Sequence, residues 1–112
     1  MTIFEKIAAR EIPARIVHES EDFLAIHDVN PQAPVHVLIF PKRVIRRIAE
    51  SQADDAALLG RMLLASPEIA AKVGVLESGY RLVINNGRDA GESVPHLHIH
   101  LLGGRALAWP PG

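Results

Sequence analysis

Residues 93–105, SVPHLHIHLLGGR, place three of the chain's six histidines at every second position. Side chains alternate between the two faces of a β-strand, so His96, His98 and His100 are predicted to share one face. The residues that alternate with them and enter the core are apolar: Leu97, Ile99 and Leu101. The stretch therefore predicts a strand that displays three imidazoles together, with the outer two roughly 13 Å apart.

The rest of the chain predicts an antiparallel α+β fold. The helical spacing of apolar side chains indicates a short helix over residues 4–12, which Pro13 stops, and a longer helix over residues 51–72. Short runs rich in Val, Ile, Leu and Phe predict the strands: residues 14–20, 22–28, 35–42, 80–85 and 94–102. Because short loops join the strand pairs, the sheet is predicted to be an antiparallel meander.

Pro67 interrupts the longer predicted helix. Its ring removes a hydrogen bond from the interior of a helix, so we expect a change of direction there. Either the helix kinks, or it stops at Ala65 and a second short helix follows. In the second case Ser66 is expected to cap the new helix and Gly74 to end it.

Composition and charge exclude several classes of protein. The 112 residues are 48% hydrophobic and 22% charged, which is typical of a folded globular domain. We expect one domain over residues 1–112, with a C-terminal tail over residues 103–112. A net charge of −1 argues against a nucleic-acid partner. The chain has no cysteine, which excludes disulfides and thiolate-bound metals.

The N-terminal residues and the apolar runs indicate where in the cell the protein is expected. Glu5 and Lys6 interrupt the apolar stretch that a signal peptide needs. No apolar run approaches the length that spans a bilayer. We therefore expect a cytoplasmic protein without a membrane partner, and the lack of cysteine fits a reducing compartment.

Three imidazoles in register suit an elongated anionic substrate such as a phosphate chain. The ordinary pKa of imidazole is about 6.5, so near neutral pH it can act as a nucleophile or as a proton donor. His98 is best placed to attack phosphorus because it has a histidine on each side. One neighbour can neutralise the phosphoryl oxygens, and the other can steer the attacking ring or the leaving group.

Two other uses of the histidines stay open. Each histidine can be a tolerated surface residue on a half-exposed strand. Alternatively, two of the three can join His36 around a metal ion, since zinc takes imidazole nitrogens at about 2.0–2.1 Å. Three histidines along one straight strand do not easily converge on a single ion.

Polar residues near the histidines offer the rest of a phosphate site. Asn85, Gly91 and Ser93 precede the histidine strand, and glycine lets backbone N–H groups approach phosphate closely. The same residue types also form ordinary turns. Asp28 follows a predicted strand, where its carboxylate can accept from two ribose hydroxyls or close a turn. The surroundings of Ser93 lack the second glycine of a nucleophile elbow, which argues against Ser93 as the nucleophile.

These residues resemble the histidine triad (HIT) family. The family signature, H-x-H-x-H-x-x with apolar x positions, matches residues 96–102. The chain also resembles the Hint branch of the family in four other segments: IFEKI, AIHDVNPQAPVHVLIFPK, GYRLVINNG and WPPG. The resemblance implies an α+β fold whose five-stranded antiparallel sheet continues across a homodimer. It also implies a phosphoramidase that cleaves purine nucleoside 5′-monophosphoramidates through a covalent nucleotidyl-histidine, without a metal or other cofactor.

The resemblance also assigns roles to the candidate residues. It makes His98 the nucleophile and His100 a phosphate contact, with His96 and His36 in support. Asp28 falls at the ribose position. Two residues fall on the phosphate side: Asn85 and Ser93. Five residues fall around the purine pocket, where core packing is the alternative role: Ile3, Phe4, Ile7, Ile26 and His27.

Two residues near the expected site are harder to place. Glu92 stands where the family usually has glutamine, and an ionised carboxylate only accepts hydrogen bonds and repels phosphate. This departure favours the alternative function, a purine nucleotide sensor or scaffold with incidental catalysis. Trp109 is the only tryptophan, and we expect its ring to fold back on the chain's own body. The resemblance instead implies that it contacts the partner across the dimer, near the partner's active site.

Overall fold

Helices cover both faces of a central antiparallel sheet. The structure is a computed structural model that describes residues 1–112. The strands are β1 (Ile16–Glu19), β2 (Phe23–His27), β3 (Val35–Pro41), β4 (Tyr80–Val83) and β5 (Ile99–Gly103). The α-helices are α1 (Ile3–Ala8), α2 (Ala56–Leu64) and α3 (Ser66–Lys72). None of the helices has both the length and the apolar character needed to cross a membrane.

The five strands lie in the order β1-β2-β3-β5-β4, and every neighbouring pair is antiparallel. The predicted α+β class and five-stranded antiparallel sheet are therefore confirmed. The simple meander runs only through β1, β2 and β3. The segment that carries α2 and α3 then leads to β4 at the outer edge, and β5 returns between β3 and β4.

The pairing of β3 with β5 brings two histidines from distant parts of the sequence together. His36 lies opposite Leu102, and Leu38 lies opposite His100. His36 and His100 are therefore diagonal neighbours on the same face of the sheet, within reach of each other's rings.

Each face of the sheet has its own apolar cluster. The larger cluster joins α2 and α3 to the sheet, with Leu58, Met62 and Ile69 packed together with Ile39 and Ile99. The predicted core residues of the histidine segment all belong to it: Leu97, Ile99 and Leu101. The smaller cluster joins α1 to the opposite face: Phe4, Ile7, Leu24, Ile26, Leu38 and Phe40. The three histidines of the triad and His36 lie on this second face. His18 instead stacks on Phe23 of the larger cluster.

The last strand begins at Ile99 rather than at the predicted residue 94. Pro95 has no N–H to donate to a strand ladder. The Leu97 N–H donates instead to the carbonyl of Ile45, at 2.6 Å, in the segment that follows β3. His96 and His98 therefore lie on the segment that leads into the strand.

The longer predicted helix is divided at Ala65, which is one of the two outcomes expected for Pro67. Pro67 lies in the first turn of α3, where its missing N–H removes no helical hydrogen bond. Ser66 does not cap the helix as predicted. Its hydroxyl lies 3.2 Å from the Tyr80 hydroxyl and is used in tertiary packing instead. Gly74 follows α3 with a left-handed φ of 79°, as expected for a residue that ends a helix.

Candidate active site

A cavity of about 590 Å³ opens beside α1, the end of β2 and the histidine segment. Nine of the predicted site residues line it: Ile3, Phe4, Ile7, Ile26, His27, Asp28, Ser93, His98 and His100. Eight residues that the sequence did not single out complete the wall: Ile12, Pro13, Ala14, Arg15, Val29, Pro31, Leu38 and Val94. An apolar wall with a few convergent polar groups is typical of a small-molecule site.

His98 has one ring nitrogen available for nucleophilic attack. Its Nδ1 lies 2.7 Å from the backbone carbonyl oxygen of His96. A carbonyl oxygen only accepts, so the His98 Nδ1–H is the donor and Nε2 keeps its lone pair. The Phe4 ring packs beside the imidazole, with 4.9 Å between the ring centroids. This arrangement holds the ring in the tautomer that a nucleophile needs.

A chain of hydrogen bonds sets the tautomers of His36 and His100. The backbone N–H of Gln32 donates to Nδ1 of His36 at 3.0 Å, so the proton of His36 is on Nε2. That Nε2 lies 2.8 Å from Nδ1 of His100 and donates to it. The proton of His100 is therefore on its own Nε2. His100 lines the cavity and can offer this N–H to an anion there.

Burial lowers the pKa of three of the clustered histidines. It is the main cause that lowers the pKa of His100 to about 4; His98 and His36 lower it further, and Asp28 opposes them. Burial also lowers the pKa of His36 and of His96. A neutral imidazole donates from one nitrogen and accepts at the other, which is the pattern that these hydrogen bonds require.

His96 is not displayed with the other two histidines, so that expectation is wrong for this residue. Its side chain is buried, with 0% exposure, because α1 packs over it. The Nε2–H donates to the carbonyl of Pro41 at 2.7 Å, and Nδ1 lies 2.7 Å from the Thr2 hydroxyl. The Phe4 and Phe40 rings lie edge-on to the imidazole. His96 thus anchors the segment that carries the His98 ring.

The Asp28 carboxylate has one of the two roles considered for it, the closing of a turn. Its Oδ1 accepts the backbone N–H of Asn30 at 2.8 Å, which closes the turn after β2. Its Oδ2 lies 3.4 Å from Nε2 of His36. The same carboxylate lines the cavity, so a hydroxyl-bearing ligand can reach it.

One group of side chains lies close enough together to hold a metal ion, with ligand atoms within 4.8 Å of one another: Asp28, His36 and His100. The set differs from the predicted alternative because only one histidine of the triad takes part. Since Nδ1 of His36 accepts from Gln32, its Nε2 carries a proton that a cation would have to displace. The donor set is therefore arranged for hydrogen bonding.

Six predicted site residues do not line the cavity: His36, His96, Asn85, Gly91, Glu92 and Trp109. Three of them lie in the loop between β4 and the histidine segment. The Gly91 N–H, expected to approach phosphate, donates to the carbonyl of Arg88 at 3.0 Å and closes a turn. Glu92 is bound by Arg47, with Nε to Oε1 and Nη2 to Oε2 distances of 2.9 Å each. Asn85 is partly buried just beyond the end of β4.

The expectation that Trp109 folds back on the chain's own body is wrong. Its side chain is 80% exposed and does not line the cavity. The guanidinium of Arg81 lies 5.7 Å from the centre of the ring, which is a weak attraction for an exposed pair.

The sequence did not point to three residues that organise the site: Thr2, Gln32 and Arg47. Gln32 acts through its backbone N–H, so its residue type carries no signal. Arg47 binds a residue 45 positions away, which no local pattern predicts. A signal for Thr2 was readable, because Thr2 and Glu5 have the spacing of a capping box and form one at the start of α1.

A buried imidazole cluster beside an apolar cavity is typical of a small-molecule site, and comparisons with known proteins show the family of the chain. Residues 9–107 match the HIT domain. An uncharacterized HIT-like protein of Synechococcus elongatus is 59% identical over 111 residues, which cover 99% of this chain and 96% of that protein. This chain belongs to the HIT family.

Solved structures agree with the sequence comparison. A HIT family hydrolase from Legionella pneumophila superposes with a TM-score of 0.96 and 46% identity, and the match covers 100% of both chains. A HIT family hydrolase from Clostridium thermocellum gives a TM-score of 0.92 and 45% identity, covering 96% of this chain and 93% of that one.

Proposed function

We propose that this protein is a hydrolase of the Hint branch that cleaves the P–N bond of purine nucleoside 5′-monophosphoramidates. The observation that carries the proposal is the 2.7 Å contact between Nδ1 of His98 and the His96 carbonyl at the wall of the cavity, which makes Nε2 the nitrogen that the neutral ring offers as a nucleophile. The relatives from Legionella pneumophila and Clostridium thermocellum, both described as HIT family hydrolases, support hydrolysis as the reaction class.

The cavity offers a separate environment to each part of such a substrate. The purine ring enters the apolar part of the wall, between α1 and the end of β2: Ile3, Phe4, Ile7, Ile26 and His27. The ribose hydroxyls donate to the carboxylate of Asp28. The phosphate lies between Ser93, His98 and His100, where the His100 Nε2–H donates to a phosphoryl oxygen.

The reaction takes two steps. In the first, Nε2 of His98 attacks the α-phosphorus, and the P–N bond to the amine breaks while the nucleotidyl-His98 bond forms. The departing nitrogen takes a proton from solvent and leaves as a neutral amine. In the second step, water attacks phosphorus, breaks the bond to His98 and returns a proton to solvent. The products are a nucleoside monophosphate and an amine.

The experiment is to incubate the protein with adenosine 5′-phosphoramidate and measure the release of AMP. The wild-type protein should turn the substrate over, and His98→Asn should abolish turnover while AMP binding stays near the wild-type affinity. His18→Asn is a matched control, because His18 lies on β1, outside the cavity wall. Parental turnover by His98→Asn would overturn the assignment.

The alternative of a nucleotide sensor or scaffold was motivated by Glu92. That carboxylate is paired with Arg47, so it no longer favours a site without catalysis. Wild-type protein that binds AMP tightly but turns over no substrate above the uncatalysed rate would restore this alternative.

The proposal extends to a homodimer whose sheets join. β4 is an edge strand, so one side of its backbone is free for pairing. Trp109 is exposed, as expected of a ring that has its contact on a second copy. Light scattering during gel filtration should give twice the chain mass, and a single chain mass at micromolar concentration would contradict this.

A further inference from the structure

The carboxylate of Glu92 makes its polar contacts inside the protein. Arg47 donates to it through two parallel bonds, and the backbone N–H of Gly87 donates to Oε1 at 3.0 Å. The side chain of Glu92 is only 12% exposed, and that of Arg47 is 25% exposed. A two-pronged guanidinium–carboxylate pair of this kind fixes the direction of both side chains as well as their distance.

This pair closes the turn that leads to the cavity and attaches it to the segment after β3. The Glu92 N–H donates to the Gly87 carbonyl at 3.2 Å, so Glu92 binds Gly87 through both its backbone and its side chain. A second link lies next to the first, where the Ala49 N–H donates to Oδ1 of Asn86 at 2.8 Å. Residues 47–49 therefore hold the turn at two points.

Ser93 follows Glu92 directly, is exposed, and lines the cavity together with His98. Its position depends on how firmly the turn before it is held. We propose that Arg47 and Glu92 are positioning residues, which hold the Ser93 wall at the distance from His98 that the phosphate requires. This inference rests on the proposed function, because Ser93 contacts phosphate only if the ligand is a nucleotide.

The pair also explains how glutamate is tolerated near a phosphate. Arg47 is the main cause that lowers the pKa of Glu92 to about 2, helped by the Gly87 N–H and by Arg46. The carboxylate is therefore charged at neutral pH, but its charge is balanced by a guanidinium in direct contact. Arg47 also pairs with Glu50.

The test combines kinetics with amide hydrogen exchange. The variants are Glu92→Gln, Arg47→Gln and Arg47→Lys, each made in the wild-type and in the Ser93→Ala background. Arg61→Gln is the matched control, since Arg61 also pairs with a carboxylate from a distant element, Asp22, but contacts nothing in the turn. Steady-state kinetics use adenosine 5′-phosphoramidate, and exchange is followed over residues 87–94.

Glu92→Gln and Arg47→Gln should each lower kcat/KM about tenfold, a loss typical of a misplaced contact group. Arg47→Lys should recover part of that loss. In the Ser93→Ala background the same changes should have less than about a twofold effect, because the positioned group is gone. Arg61→Gln should leave kcat/KM unchanged. An equal loss in both backgrounds would overturn the inference.

Exchange separates this inference from the proposed function. Glu92→Gln and Arg47→Gln should speed exchange over residues 87–94 even if the wild-type protein hydrolyses no phosphoramidate. Unchanged exchange in these variants would overturn the positioning role, whereas an inactive wild-type protein with faster exchange in the variants would overturn only the proposed function.

Discussion

The chemistry of the site depends on which nitrogen of each imidazole carries the proton. Backbone groups make that choice here: the His96 carbonyl sets His98, and the Gln32 N–H sets His36 and, through it, His100. Backbone groups cannot be altered by changing a side chain. The nucleophile and its neighbour are therefore held in complementary tautomers by the fold itself.

The alternation of residues 96–100 predicts the side of the sheet on which each residue lies, and Leu97 and Ile99 are buried in the larger core as expected. The alternation does not predict how deeply each side chain is buried. His96 is covered because Phe4 of α1 packs against it, and no pattern within the histidine segment describes that contact. The role of Arg47 was missed for a related reason, since it binds a residue 45 positions away. Gln32 lies only four positions from His36, but it acts through its backbone N–H, which its residue type does not reveal.

A change at Asp28 tests the ribose contact. Asp28→Asn keeps an acceptor for the Asn30 N–H, so the turn should survive, but it removes the negative charge. Hydrogen bonds to a charged group contribute about 1.5–3 kcal/mol, so KM for adenosine 5′-phosphoramidate should rise roughly tenfold or more. KM for the 2′,3′-dideoxy substrate should not change. The same rise with both substrates would contradict a ribose contact.

Among the secondary-structure elements, α1 has the largest influence on the site. It contributes Ile3, Phe4 and Ile7 to the cavity wall, and the Thr2 hydroxyl at its N-terminal end contacts His96. The helix was predicted from its apolar spacing, although it ends at Ala8 rather than near residue 12. The start of the last strand was predicted five residues too early, because a tertiary hydrogen bond from Leu97 to Ile45 replaces the ladder.

The break between α2 and α3 was predictable because proline has a fixed backbone preference. Pro67→Ala should change the free energy of unfolding by less than about 1 kcal/mol, because proline in a first helical turn removes no hydrogen bond. Relief of an interior kink would instead stabilise the protein by about 3 kcal/mol. Urea unfolding of both proteins distinguishes the two values, and a large gain would show that Pro67 strains the helix.

Across the whole molecule, the two faces of the sheet differ: one is covered by the larger apolar core, and the other carries the candidate active site. The face with α1 carries the histidine cluster beside the smaller apolar core, whereas the larger core with α2 and α3 is contacted by His18, whose ring stacks on Phe23. Burying that cluster links folding to pH. Four histidines have pKa values lowered mainly by burial: His27, His36, His96 and His100.

The sign of the pH effect follows from these shifts. Below about pH 6.5 the unfolded chain binds protons at these histidines and the folded chain does not, so the free energy of unfolding should fall on acidification. Each histidine can contribute a slope of up to about 1.4 kcal/mol per pH unit until its folded pKa is reached. Urea unfolding between about pH 7.5 and about pH 5 measures this, in a range where carboxylates stay ionised. Stability that is constant or rises on acidification would contradict the buried, neutral cluster.

The central claim is that His98 bonds covalently to phosphorus. Rapid quenching of the wild-type protein with adenosine 5′-phosphoramidate, followed by mass spectrometry of the intact chain and its peptides, tests it directly. We predict a transient mass increase of one adenylyl group, located on His98 and absent from His98→Asn. Steady AMP release with no adduct at any quench time, or an adduct on another residue, would contradict the account.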